Sequence, residues 1–337
     1  MEVRRIDPGD EDALAEWCAV LQASDQELWP DLQGYTLPDI RAFARFRGGG
    51  RRFELLAASQ PGGPMLGVGM MELPRRDNRH AAEITVAVHP ARRRRGVGTA
   101  IVERMAQLVG ADGRRVLNTI VDVPLDRADD HASVHFAPRV GFEAMLAGNG
   151  RHLTVPLQTA RREELHARVA GASDAAAYRI STFVTPWPDE VLEDHCELLR
   201  RMSTDEPAGD GDREEEVWDA ERIRENDDLL VARDAWKLAA VAEHVASGRL
   251  VAFTELLLAH DTPAQAWQEA TLVHPAHRGH RLGLAVKLAN LEFLAEQAPT
   301  VRLVVTGNAQ PNAPMIAVND LIGFEIAGAG MFWQKKL

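Results

Sequence analysis

Three observations predict two consecutive copies of one α/β (α+β) domain. The first is a repeat. Val88-His89-Pro90-Ala91, followed by Arg93 and Gly98, returns as Val273-His274-Pro275-Ala276, followed by Arg278 and Gly283, at a constant offset of 185 residues. Val140-Gly141-Phe142-Glu143 returns as Ile322-Gly323-Phe324-Glu325 at an offset of 182. The second is length, since 337 residues exceed what one hydrophobic core ordinarily organises. The third is that strand-length apolar runs and helical periodicities follow one another in the same order in both halves.

Each half opens on a short strand, Val3 to Ile6 or Tyr178 to Val184. The chain then passes Asp7-Pro8 or Thr185-Pro186 into an amphipathic helix. Two strands around a glycine turn come next. They are Phe53–Ala58 with Leu66–Glu72, turning at Pro61-Gly62-Gly63-Pro64, and Leu238–His244 with Arg249–Leu257, turning at Ser247-Gly248. A further strand (Ala82–Val88; Gln268–Val273) ends at His-Pro and leads to a long helix (Val97–Gly110; Leu282–Gln297). Another strand (Val116–Val121; Val301–Thr306), a short helix and a last strand starting near Gly-Phe complete the unit. The Ala- and Arg-rich segment Leu157–Ala177 reads as a linking helix and short loop. The expected domains are therefore 1–156 and 178–337, joined by 157–177.

Composition narrows the function classes. With 45% hydrophobic and 26% charged residues the chain reads as soluble and globular, and no stretch is apolar enough to span a bilayer. No partner membrane is expected. The N-terminal residues lack the apolar core of a secretory signal, so a cytoplasmic location is expected. Two cysteines, Cys18 and Cys196, one in each half, exclude a disulfide framework and read as buried thiols. A formal net charge of −12 argues against a nucleic-acid partner, which needs a positive surface to release counterions. Much of the acidity is local: Asp205, Glu206, Asp210, Asp212, Glu214, Glu215 and Glu216, interrupted by Pro207, Gly209 and Gly211. Two readings stand: a solvated loop entering a helix N-terminus, or a rim that attracts a cationic amine.

The segment Val88–Ile101 carries the chemistry. A strand stops at Pro90, which cannot continue a ladder. Then Arg92-Arg93-Arg94-Arg95-Gly96-Val97-Gly98-Thr99 opens a helix. Unpaired N–H groups and the dipole at a helix N-terminus form an anion site. Gly96 and Gly98 let the backbone approach the anion, and the arginines neutralise phosphate charge. Such a turn suits a diphosphate-bearing ligand. A solvated charge cluster or a nucleic-acid patch are the alternatives for the four arginines. A dinucleotide fingerprint fits poorly because Gly-x-Gly-x-x-Gly is absent.

Arg93-x-x-Gly96-x-Gly98 after Val88-x-Pro90, with Gly-Phe opening the last strand, resembles the acyl-CoA loop of the GNAT (GCN5-related N-acetyltransferase) superfamily. The resemblance covers both halves, and the two-domain architecture is similar to that of mycothiol synthase. It implies two tandem GNAT-type domains, each a mixed, mostly antiparallel sheet flanked by helices. It also implies acetyl-CoA or another acyl-CoA as co-substrate, no metal, and transfer of a small acyl group to a primary amine by direct attack. The cofactor-binding residues implied are Val88, Arg93, Arg94, Arg95, Gly96, Val97, Gly98 and Thr99 in the first copy. In the second they are Val273, Arg278, Gly279, His280, Arg281, Leu282, Gly283 and Leu284. There the pattern departs, because Arg281 stands where the middle glycine is expected. Its side chain either crowds the pyrophosphate or folds outward.

In relatives a glutamate on the strand before this loop takes the amine proton. Glu83 matches it, and Glu269 lies on the corresponding strand one register step away, a slip that a bulge would alter. The tyrosine that often serves as general acid four residues before Gly-Phe is replaced by Ala137 and Asn319. His131 and His135 are nearby in the first copy. In the second, Asn308, Asn312 and Asn319 either satisfy backbone groups or hold the carbonyl or acceptor. A small-molecule, cationic amine acceptor is the expected partner. An aminoacyl-tRNA donor, or a CoA-binding scaffold with degenerate transferase domains, are the competing readings.

Overall fold

The computed structural model describes residues 1–172, 174–205, 211, 213–259 and 264–337. The first run is β1 (Glu2–Arg5), α1 (Glu11–Leu28), α2 (Leu37–Arg45), β2 (Arg51–Ser59), β3 (Met65–Pro74), β4 (Ala81–Val88), α3 (Val97–Ala111), β5 (Val116–Pro124), α4 (Ala132–Arg139) and β6 (Glu143–Thr154). Helix α5 (Thr159–Ala170) follows. The second run is β7 (Tyr178–Val184), α6 (Leu192–Asp205), α7 (Ala220–Ala232), β8 (Ala235–His244), β9 (Arg249–Ala259), β10 (Gln265–Val273), α8 (Leu282–Gln297), β11 (Leu303–Ala309), α9 (Ala313–Ile322) and β12 (Glu325–Lys336). The order is the same in both runs.

The two compact units are not contiguous in sequence. One holds Met1–Gly148, a short piece ending at Glu214, and Gly328–Leu337; the other holds Asn149–Pro207 and Glu215–Ala327. The division expected at 1–156 and 178–337 is thus crossed by the last strand of each copy. In the first unit the strand order is β1-β2-β3-β4-β5-β12, and β12 runs antiparallel to β5 from Gly328 opposite Pro124 to Lys336 opposite Val116. In the second it is β6-β11-β10-β9-β8-β7. Duplicated sheets offer duplicated edges, β5 and β11, so each closing strand has two chemically similar places to pair.

In the first unit, α1 starts at Asp10, whose carboxylate accepts the Ala13 N–H at 3.0 Å. Its buried stripe includes Leu14, Trp17 and Leu21, and the Trp17 indole donates to the Leu56 carbonyl at 2.8 Å. On the other sheet face, Ile101, Val102 and Met105 of α3 pack on Leu56, Met71, Ile84 and Leu117. Each sheet is therefore sandwiched by helices. In the second unit α8 is buried nearly all round, Leu282 to Leu294. The linking helix α5 covers it, with Leu165 fully buried and His166 bonded to Glu292 at 2.6 Å. Among the described residues no helix is long and apolar enough to cross a membrane.

Candidate active site

β4 and β5 are parallel neighbours for three residue pairs only: Ala81 with Val116, Ala82 with Leu117, and Glu83 with Asn118. Beyond Glu83 they part. The gap opens into a cavity of about 550 Å3, walled by Thr85–Val88 of β4, Thr119–Asp122 of β5, the N-terminal turn of α3 and the inner side of α4. Leu21, Ser24, Asp25 and Leu28 of α1 reach it from the opposite sheet face. Backbone groups of β4 that would have met β5 are left for an extended guest to pair with.

At the mouth of the gap lies the glycine-arginine turn. Val88, Arg93, Arg94, Gly96, Val97, Gly98 and Thr99 line the cavity, while Arg95 is exposed outside it. Two residues of the turn are left-handed, Arg94 at φ 63° and Gly96 at φ 78°. The turn of the second unit repeats both, with Gly279 at φ 87° and Arg281 at φ 58°. Arginine and glycine have simply exchanged places. Arg281 folds outward and donates to the Arg168 carbonyl at the end of α5. His89 and His274 each accept the N–H two residues on, from Ala91 at 3.3 Å and Ala276 at 3.2 Å.

Arg93 and Arg278 act as braces. Arg93 donates to the Val88 carbonyl at 3.3 Å, to Ser24 Oγ at 3.2 Å and to Glu27 at 2.8 Å. Arg278 donates to the Val273 carbonyl at 3.2 Å and to Asp205 at 2.6 Å. In each unit the arginine ties the strand end to the first helix. Burial pushes the Glu27 carboxyl up, but bonds from Arg93, His131 and Arg127 outweigh it and hold it at about 2.

Glu83 stands at the apex of the gap. Its Oε1 accepts from Asn118 Nδ2 at 2.9 Å, and Asn118 Oδ1 accepts from Gln334 Nε2 at 3.1 Å. Burial raises the Glu83 carboxyl, opposed by the Asn118 bond and the positive charge of Arg213. His135 lines the cavity and is exposed. His131 caps α4 through the Ser133 N–H at 3.2 Å and faces Glu27 at 3.3 Å.

The second unit gathers its candidates differently. β10 and β11 also pair for three residues, Gln265 with Leu303, Ala266 with Val304 and Trp267 with Val305, before parting. A bulge lies between Gln268 and Thr271, so Glu269 sits in it. Glu269 is ion-paired with Lys237 at 3.5 Å, and Lys237 also meets the buried Glu255 at 3.1 Å. Burial works against the Lys237 charge, but Glu255 and Glu269 outweigh it and hold the ammonium above its usual range. Asn319 Nδ2 donates to Asn308 Oδ1 at 2.7 Å, and Asn319 Oδ1 accepts from Lys287 Nζ at 2.9 Å. Asn312 caps α9 through the Met315 N–H. Val273, Leu282, Gly283 and Leu284 pack at the foot of the second turn, and His280 faces Asp174 at 3.3 Å.

Of the acidic segment, Glu206, Asp210 and Asp212 lie outside the described residues. Asp205 is held by Arg278, Glu214 accepts from the Asn78 N–H at 2.8 Å, and Glu216 bonds Trp218 at 3.0 Å. Sequence reading missed Asn118, Gln334, Asp25 and Asp122. Asp25 and Asp122 line the cavity, and loss of water pushes each carboxyl up to about 6, although solvent still reaches one side of Asp122. Nothing in local sequence distinguishes them from surface acids; only the meeting of α1, β5 and β12 does.

Residues 15–142 match the family model described as Acetyltransferase (GNAT) family. A tandem GNAT protein from the clavulanic acid biosynthesis pathway superposes with a TM-score of 0.80 at 29% identity, covering 99% of this chain and 98% of that one. A GCN5-related N-acetyltransferase from Sphaerobacter thermophilus gives 0.65 at 14% identity, with 99% and 95% covered. No curated protein matches in sequence.

Proposed function

We propose that the chain is a tandem GNAT acyltransferase and that it moves an acetyl or other small acyl group from acyl-CoA to a primary amine. The observation that carries this is the parting of β4 from β5 directly above the Gly96–Gly98 turn. The gap accepts an extended arm as an added strand, and the turn presents helix N–H groups and arginines to a diphosphate. The residues present fit the donor: about 550 Å3 lies between the turn and the apex.

The acyl carbonyl then lies toward Glu83. A half-buried carboxylate with a raised pKa, steadied by Asn118, takes the proton from the attacking ammonium. The free amine attacks the thioester carbon; as the tetrahedral adduct collapses the C–S bond breaks, the nitrogen sheds its second proton to water, and the leaving thiolate takes a proton from His135 or from water. Asp25 and Asp122 favour a cationic acceptor over an anionic one, and the likeness to a tandem protein from the clavulanic acid biosynthesis pathway supports a small molecule.

The test is release of free CoA thiol from acetyl-CoA over a panel of primary amines. We expect turnover with at least one cationic amine, lost in Gly98→Trp, whose side chain would run into Phe136, 2.9 Å from the first added carbon. Turnover unchanged by that substitution would sink the assignment. Acyl transfer only from charged tRNA would favour the aminoacyl-carrier donor instead.

A further inference from the structure

Three positions of the donor gap correspond between the two copies by their spacing from shared landmarks. Lys287 stands as far into α8 as Val102 stands into α3. Asn319 precedes Gly323-Phe324 as Ala137 precedes Gly141-Phe142, and in both units the phenylalanine N–H donates back to that residue's carbonyl at 3.0 Å. Asn308 lies as far beyond the last paired residue of β11, Val305, as Val121 lies beyond Asn118 in β5. In the first unit Val102, Val121 and Ala137 are apolar walls of the cavity.

In the second unit the same three positions are bonded to one another. Lys287 Nζ donates to Asn319 Oδ1 at 2.9 Å and Asn319 Nδ2 donates to Asn308 Oδ1 at 2.7 Å. Lys287 is 2% exposed, Asn319 is fully buried, and the ammonium lies 5.5 Å from the centre of the Phe324 ring. The chain of bonds runs from the helix, through α9, to the parted strand. It crosses the space that stays open in the first unit.

We propose that Lys287, Asn319 and Asn308 are a built-in plug of the second donor gap, so that each chain carries one acyl donor, in its first unit. The proposal rests on the acyl-donor reading above. A long side chain replaces a valine, and two amides replace a valine and an alanine. To admit an acyl arm, the second unit would have to break two buried hydrogen bonds and leave a buried amine without its acceptor, which is unfavourable. Burial also pushes the Lys287 ammonium down to about 7. The turn itself keeps its backbone shape, so its sequence alone gives no sign of the plug.

The test is calorimetric titration of acetyl-CoA into the full chain, with hydrogen exchange read on two peptides, residues 88–102 and 273–287. One site, with protection confined to 88–102, is the expected result. Moving the plug into the first unit, Val102→Lys with Val121→Asn and Ala137→Asn, should abolish that site. Removing it from the second, Lys287→Val with Asn308→Val and Asn319→Ala, should add one. The wild-type readouts need no variant and hold if the triple variants fail to fold. Two sites in the wild-type chain, or protection of 273–287, would overturn the plug and leave the acyl-donor reading intact. No site at all would overturn both.

Discussion

Glu83 shows how much of a residue's chemistry is set by neighbours that local sequence does not reveal. Its strand position was legible from the turn that follows it. Its raised carboxyl was not, because burial, Asn118 and Gln334 meet only in the fold. Glu83→Gln should lower kcat by about 10²–10⁴-fold while leaving acetyl-CoA affinity unchanged, as expected for a lost general base. The wild-type rate should rise with pH through a value above the ordinary glutamate range, and that limb should vanish in the variant. Lys287 gives a stability test. Its folded value of about 7 lies below that of an unfolded lysine, so between the two the unfolded chain binds more protons. Stability should therefore rise with pH from about 7 upward, and Lys287→Met should flatten the slope in denaturant titrations at several pH values.

At the scale of the element, the two glycine-arginine turns carry one backbone with reversed residue order. Gly96 is left-handed with open space around its α-carbon, so Gly96→Ala should cost about 1–2 kcal/mol, a conformational rather than a steric penalty. Arg281→Gly should relieve a similar strain, less the bond it makes to the Arg168 carbonyl. Thermal melts of both variants check the two signs. The glycine pattern made the first turn readable from sequence. By the same pattern its counterpart read as a departure, because a motif records residue types and the fold needs only two left-handed positions. The bracing role of Arg93 and Arg278 was hidden for another reason. Their partners, Glu27 and Asp205, sit on helices far away in sequence.

At the scale of the molecule, order and type of elements were legible because strand and helix periodicities are local. The exchange of closing strands was not, since β5 and β11 are copies of one edge and nothing local says which of β6 and β12 each will take. Removing residues 328–337 should strip the first unit of a nine-pair ladder and of Gln334. We expect loss of transfer activity and selective loss of hydrogen-exchange protection in β4 and β5, with β8 and β9 still protected. Retained activity would show that β12 is dispensable to the first unit.

The same exchange bears on how the protein is made. Val116–Pro124 is translated roughly 200 residues ahead of its partner, Gly328–Lys336. At ~5–20 residues per second, the first sheet waits roughly ten to forty seconds with an open edge. An open edge invites any extended segment to pair with it. The first sheet is therefore completed only after most of the second unit has been read out.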